Sequence, residues 1–202
     1  MTTPSTATYQ MKPLLCDPAK LPGLSEKLIV SHYENNYGGA VKRLNAIAAQ
    51  LAALDMATAP VFVLNGLKRE ELIAANSMIL HEVYFDSLGE TGTMQGELAA
   101  AITKDFGSIE RWQAEFTAMG KALGGGSGWV LLTFSPRDGR LVNQWAADHA
   151  HMLAGATPIL ALDMYEHSYH IDYGAKAAAY VDAFMQNINW KQVGERLSSA
   201  QK

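Results

Sequence analysis

The residues best suited to chemistry gather near the C-terminal end, in the stretch Pro158-Ile-Leu-Ala-Leu-Asp163-Met-Tyr165-Glu166-His167-Ser-Tyr-His170. A short apolar run, strand-like in length and branching, delivers Asp163 toward the interior, and a glutamate and two histidines follow closely. A buried carboxylate is costly unless it is paired or binds a metal. Asp163, with His167 four residues on, can address one cation. The stretch reads as half of a metal site whose other half lies elsewhere in the chain.

The histidines are His32, His81, His149, His151, His167 and His170. His32 follows Ile29-Val30 and His81 follows Ile79-Leu80, each inside a segment of helical apolar spacing. A lone histidine on such a helix is more often a core residue than a ligand. Two on facing helices of one hairpin can aim at a common point, as metal sites in helix bundles do. With Asp163 and His167 they make three imidazoles and one carboxylate, a nitrogen and oxygen donor set that suits iron, manganese or zinc. The lone Cys16 rules out both an intrachain disulfide and a multi-cysteine zinc site.

The elements that must position these residues can be read in order. The spacing of Leu28, Ile29, Val41, Leu44, Ile47, Leu51 and Leu54 predicts helix from Leu24 to about Ala57, kinked or broken at Gly38-Gly39. Asn65-Gly66 signals a turn, and Lys68 to Leu88 a second long helix stopped by Gly89, so the two form a helical hairpin. Met94 to Ile102 reads as helix, and Ser108 as the N-cap of another running through Leu123. After the glycine-rich 124–128, strands are expected at Trp129–Phe134, Leu141–Trp145 and Ile159–Asp163, with Pro136–Gly139 as a hairpin turn. Helices at Ala175–Gln186 and Trp190–Leu197 close the chain. Helices followed by a small three-stranded antiparallel sheet define an α+β fold. The expected organisation is a flexible Ser/Thr/Pro-rich arm over residues 1–22, a helical hairpin domain over 23–92 and an α/β unit over 93–202.

Composition narrows the function. The chain has 202 residues, 49% hydrophobic and 18% charged, with a net charge of -4. Without a basic run, nucleic acid is not an expected partner. No apolar run approaches the roughly 18 to 20 residues of a membrane span, no secretory signal is visible, and the expected location is the cytoplasm.

Several motifs then recur together. Asp163-Met-Tyr-Glu-His167-Ser-Tyr resembles the D-x-W-E-H-A-Y signature of the iron/manganese superoxide dismutases, with Tyr165 replacing Trp. Gly126-Ser-Gly-Trp129 matches their G-S-G-W, and Ala183-Phe-Met-Gln-Asn-Ile-Asn189-Trp190 resembles their closing A-F-W-x-x-x-N-W. His81 precedes Tyr84-Phe85 where the family has H-x-x-F-W, and His32 stands thirteen residues before Asn45 as the family's first ligand stands before its own Asn. The resemblance runs from about Leu24 to Trp190. It implies His32, His81, Asp163 and His167 as ligands of one iron per chain, with manganese as the alternative, and superoxide anion as substrate, converted to oxygen and hydrogen peroxide. Ala161, small but not glycine two residues before the aspartate, leans toward iron. Trp129 and Tyr165 would wall the pocket.

The resemblance also marks departures. The family sets a Gln beside the metal-bound solvent, either four residues before the second ligand, here Ser77, or from the sheet. Counting back from Asp163 reaches His149, which is expected to take that Gln's role, with Gln144 and His151 as competing candidates. The family's gateway Tyr is here Ala40, so Tyr37 is the expected substitute phenol. The gateway His is Asn36, and the Tyr with which it pairs across the dimer is His170, so an Asn36–His170 pair is expected. Glu166 matches the glutamate that reaches across the dimer, implying a homodimer or a tetramer of dimers. Lys176 occupies the place of the family's anion-steering Arg. Two rival readings stand beside this one: a catalytically impaired, dismutase-like metal-binding protein, and another mononuclear non-haem metalloenzyme on the same scaffold.

Overall fold

The computed structural model describes residues 8–202. The chain begins with a 3-10 turn at Pro18–Lys20 and helix α1, Glu26–Ser31, whose N-cap Ser25 accepts from Leu28 N–H at 3.1 Å. A π-helix, His32–Tyr37, follows without interruption and leads into α2, Gly38–Ala53. Helix α3, Val61–Asp86, completes the hairpin. Helices α4, Gly96–Phe106, and α5, Ile109–Ala122, precede strands β1, Trp129–Ser135, β2, Arg140–Ala146, and β3, Thr157–Asp163. A short α6, His170–Tyr173, then α7, Ala177–Met185, and α8, Trp190–Ala200, end the chain. The sheet is antiparallel in the order β2-β1-β3, so the expected α+β architecture is present.

The periodicity explains what each helix buries. On α3 the buried residues Ala74, Ser77, Met78, His81, Tyr84 and Phe85 fall on one face at helical spacing, so His81 sits inside a core stripe. Helix α2 offers Val41, Leu44 and Ile47 in the same way. All seven residues of β1 and the last five of β3 are buried. Helix α3 packs on both α2 and β3, so one continuous core joins the hairpin to the C-terminal unit. Gly128 fixes where the sheet begins. Its φ of 126° is left-handed territory, and a Cβ there would fall 2.1 Å from the Ala146 carbonyl oxygen. Only glycine lets β1 begin there, with Trp129 paired to both Ala146 and Asp163 and with Met164 N–H donating to the Gly128 carbonyl at 2.9 Å.

Four expectations need correction. The helical run does not break at Gly38-Gly39; the irregularity is the π turn that starts at His32. Asn65-Gly66 makes no turn but lies within α3, whose start at Val61 follows Pro60 and a turn in which Asp55 accepts from Ala57 N–H and the Thr58 hydroxyl. The helix expected at Met94–Ile102 runs instead from Gly96 to Phe106, where Gly107, at φ 90°, ends it. The arm is not loose where it is described. Residues 1–7 lie outside the described part, but Tyr9 exchanges two hydrogen bonds with the Asn45 side chain, and Lys12 N–H donates to the Tyr37 hydroxyl.

Candidate metal centre

Three elements converge on Asp163. The π-helix supplies His32 from its first residue, α3 supplies His81, and the 3-10 turn Glu166–Ser168 supplies His167. That turn is wound around the aspartate: Tyr165 N–H donates to Asp163 Oδ1 at 2.9 Å, and the Ser168 hydroxyl donates to the Asp163 carbonyl at 2.8 Å. The three imidazole Nε2 atoms lie 3.2 Å (His32), 3.6 Å (His81) and 3.1 Å (His167) from Asp163 Oδ2. One ligand atom from each of the four residues falls within 4.8 Å of all the others.

The protons decide what this cluster is for. His81 Nδ1 faces the Ser77 carbonyl at 2.6 Å and must donate to it, which leaves a lone pair on Nε2. That lone pair points toward a carboxylate oxygen, and neither His81 Nε2 nor either nitrogen of His32 has a hydrogen-bond partner. Acceptors face each other across a buried space, an arrangement that costs free energy unless a cation lies between them. Burial, helped by the neighbouring His32, pushes the His81 pKa down to about 3, and burial likewise lowers that of His32. At His167 burial also works downward, but the Asp163 charge and hydrogen bond prevail and the pKa rises. Burial alone would raise the Asp163 carboxyl; His167 and His32 together hold it well below the usual carboxylate range. The neutral imidazoles of His32 and His81, their buried Nε2 atoms unpartnered beside an ionised carboxylate that His167 also meets, fit a divalent or trivalent transition metal.

Around the cluster the remaining residues fall into place unevenly. His149 lies beside it, its ring 6.2 Å from that of His81, and accepts the Trp129 indole N–H at Nδ1 across 3.0 Å. Its own proton therefore sits on Nε2. Burial keeps the His149 pKa below its ordinary value. Trp129 is fully buried, edge-on to His81 at 5.3 Å. Tyr165 lies between His149 and His167, stacked at 4.8 Å and 5.4 Å. The competing candidates are engaged elsewhere. Gln144 bonds the His151 carbonyl and Leu153 N–H, and His151, half exposed, bonds Asp148.

Tyr37 packs its ring 6.3 Å from His81, but its hydroxyl donates to Glu82 and accepts from Lys12 N–H, leaving no proton to offer the site in this arrangement. Glu166, in the 3-10 turn, and His170, at the start of α6, are exposed and stand 3.8 Å apart. Within the single chain His170 faces Glu166, while Asn36 lies on the π-helix. Lys176 is exposed at the start of α7. Sequence reasoning missed Asn76, whose side chain donates to the His149 carbonyl at 2.6 Å, and the role of the Ser77 backbone as partner of His81. The second was in reach, since a helical histidine can bond the carbonyl four residues before it. The first joins positions 73 residues apart, and no local pattern announces it.

Comparison with known proteins gives a consistent result. The profile of the iron/manganese superoxide dismutases, C-terminal domain, matches residues 94–196. A superoxide dismutase (Fe) of Cupriavidus metallidurans is 81% identical over 192 residues, 95% of this chain and 98% of the relative. A superoxide dismutase (Fe) of Aquifex pyrophilus is 35% identical over 92% of this chain and 89% of its own. A superoxide dismutase (Mn) 1 of Halobacterium salinarum is 34% identical over 95% of this chain and 96% of its own.

Proposed function

This chain belongs to the iron/manganese superoxide dismutase family, and on that premise we infer that it is a superoxide dismutase carrying one iron ion per chain. It converts two superoxide anions and two protons to dioxygen and hydrogen peroxide. The observation that carries this reading is the convergence of three imidazole nitrogens on Asp163 Oδ2 in a buried cluster. Manganese is the alternative metal, supported by the relatives named for it.

We assign His32, His81, Asp163 and His167 as the residues that hold the metal. When bound, iron supplies the one-electron exchange, taking an electron from one superoxide and returning it to another. The chain's own residues do the rest. Ser77 fixes the His81 tautomer and thus which nitrogen faces inward. Asp163 offsets the metal's charge. The proton that peroxide formation consumes needs a donor at the site, and His149 has one at Nε2 because the Trp129 indole occupies Nδ1. Trp129 thereby acts as a positioning residue, and the Tyr165 ring, stacked on both His149 and His167, keeps the two imidazoles parallel. Tyr37 belongs to the wall of the pocket through its ring.

The finer parts of the proposal concern assembly and place. Glu166 and His170, exposed on the single chain, suit a homodimer or a tetramer of dimers in which Glu166 reaches a second copy and His170 meets Asn36. No helix of the described residues is long and apolar enough to cross a membrane; a cytoplasmic location is part of the proposal. The test is metal analysis joined to superoxide consumption followed directly by its own ultraviolet absorbance. Iron near one per chain with fast, saturable consumption is the expected result. One metal per chain without turnover would leave a metal-binding protein and overturn the reading.

A further inference from the structure

Beside the histidine cluster a cleft of about 270 Å³ opens between the π-helix, the start of α2 and α3. Its walls include the small residues Gly39, Ala40, Ala74 and Ser77, and His149 also lines it. Ser77 is bonded to His81 and His149 lies beside that ring, so the cleft touches the centre itself. The small walls present little to hold a charged molecule. Among the described residues lining this cleft, the one that carries a formal charge is Arg43.

The local charge balance favours an anion there, although the chain as a whole carries -4. Arg43 is ion-paired with Glu70, and the other Glu70 oxygen takes Arg69 Nη1 at 3.1 Å. Two guanidiniums share one carboxylate, which leaves this group net positive. Even while paired with Glu70, the Arg43 side chain is more than half exposed and so accessible to an incoming ion. Its field extends to the site: burial first, and Arg43 among the lesser influences, lowers the His149 pKa. A cation at the edge of a low-dielectric cleft focuses field lines into it whatever the net charge of the molecule.

We propose that Arg43 is the cation that draws superoxide, and other small monoanions, through this cleft to the histidine cluster, the part that resemblance alone gave to Lys176. Lys176 does not line the cleft. Ala40 leaves the passage open, and Glu70, shared between Arg43 and Arg69, tempers the attraction. The inference rests on the dismutase reading for its substrate, but not for its probe.

The test uses the iron-loaded protein and two readouts. One is kcat/KM for superoxide across ionic strength. The other is azide affinity, titrated by the change in visible absorption. Arg43→Gln should lower kcat/KM and weaken azide by about threefold or more at low salt, with the contrast fading above about 0.1 M, where the screening length is about 10 Å. Iron content and turnover at saturating substrate should hardly change. Arg43→Lys should retain most of both, and Glu70→Gln should move both the other way. If Arg43→Gln keeps the parental azide affinity and salt slope, or if Lys176→Gln alone alters them, the proposal is overturned. A protein that binds azide through Arg43 but consumes no superoxide would sink the dismutase reading and leave the anion path standing.

Discussion

At the scale of single residues, the centre depends on where protons sit. His149 is held to one tautomer by the Trp129 indole. Replacing His149 with Ala should cost about a hundredfold in turnover, the usual weight of a positioned proton donor, while iron content stays near one per chain. Trp129→Phe should cost less, about tenfold, and should alter the pH profile, because the imidazole can then carry its proton on either nitrogen. Rapid-mixing measurements of superoxide decay from pH 6 to about pH 10 would separate the two. A second prediction concerns the metal-free chain. The His81 pKa is about 3 in the fold against 6.5 as its ordinary value. Between those values the unfolded chain holds a proton that the folded chain refuses, so stability rises with pH through this window and levels off above it. His32 shifts in the same direction, and His167 in the opposite one. Urea midpoints of chelator-treated protein should therefore fall from pH 7 to pH 4.5. The His81→Gln variant should show a shallower fall, by roughly 2 kcal/mol over that range. An equal slope in both proteins would refute the assignment. The four converging residues were legible in the sequence because ligand types are rare there and two of them share one turn. The Tyr37 hydroxyl was not, since its partners Lys12 and Glu82 come from distant segments whose meeting only packing decides.

At the scale of elements, the strongest local rule is the glycine that starts the sheet. Gly128→Ala would force a Cβ against the Ala146 carbonyl and place an L side chain at φ 126°. The register that sets Trp129 opposite Asp163 would have to shift. The expected cost is about 3 kcal/mol or more, seen as a lower urea midpoint together with reduced iron retention. Gly125→Ala, at a position whose Cβ would meet nothing within 4 Å but whose φ is 80°, should show the smaller cost of strain without collision. Elements marked by their own chemistry were readable. Ser108 accepts from Arg111 N–H at the head of α5 as its type and place suggest, and the strands fall where branched and aromatic residues alternate with turn signals. Elements where local and tertiary preferences conflict were not. Asn65-Gly66 favours a turn in isolation, yet the buried stripe of α3 extends one helix through it. Gly38-Gly39 looked like the break, while the actual irregularity begins six residues earlier, in residues of ordinary composition.

At the scale of the whole molecule, the hairpin and the sheet share one core, with the centre lying between them. Removing the metal should therefore loosen the junction as a whole. The pair Glu166 and His170 sits on the outside of this junction, one residue before and three after a proposed ligand. In the proposed dimer, Glu166→Ala should shift the sedimentation equilibrium toward single chains and lower iron retention together. A dimer that persists unchanged would remove Glu166 from the interface. Domain halves could be drawn from the change in sequence texture, but their joint core could not, because it is made by contacts far apart in the chain. The π turn at His32–Tyr37 has a further consequence for heredity. A turn of this kind carries one residue more than an α-helical turn, and each residue of an α-helix rotates the chain by about 100°. Loss of a single codon between positions 33 and 36 would relax the segment to ordinary helix continuous with α1. Because the wide turn and an ordinary turn each complete one revolution, Ala40 and Arg43 would keep their face of α2. A one-residue loss is therefore better absorbed in this turn than elsewhere in the α1–α2 run, where it would turn His32, proposed as a ligand, and Arg43 about 100° out of step with each other.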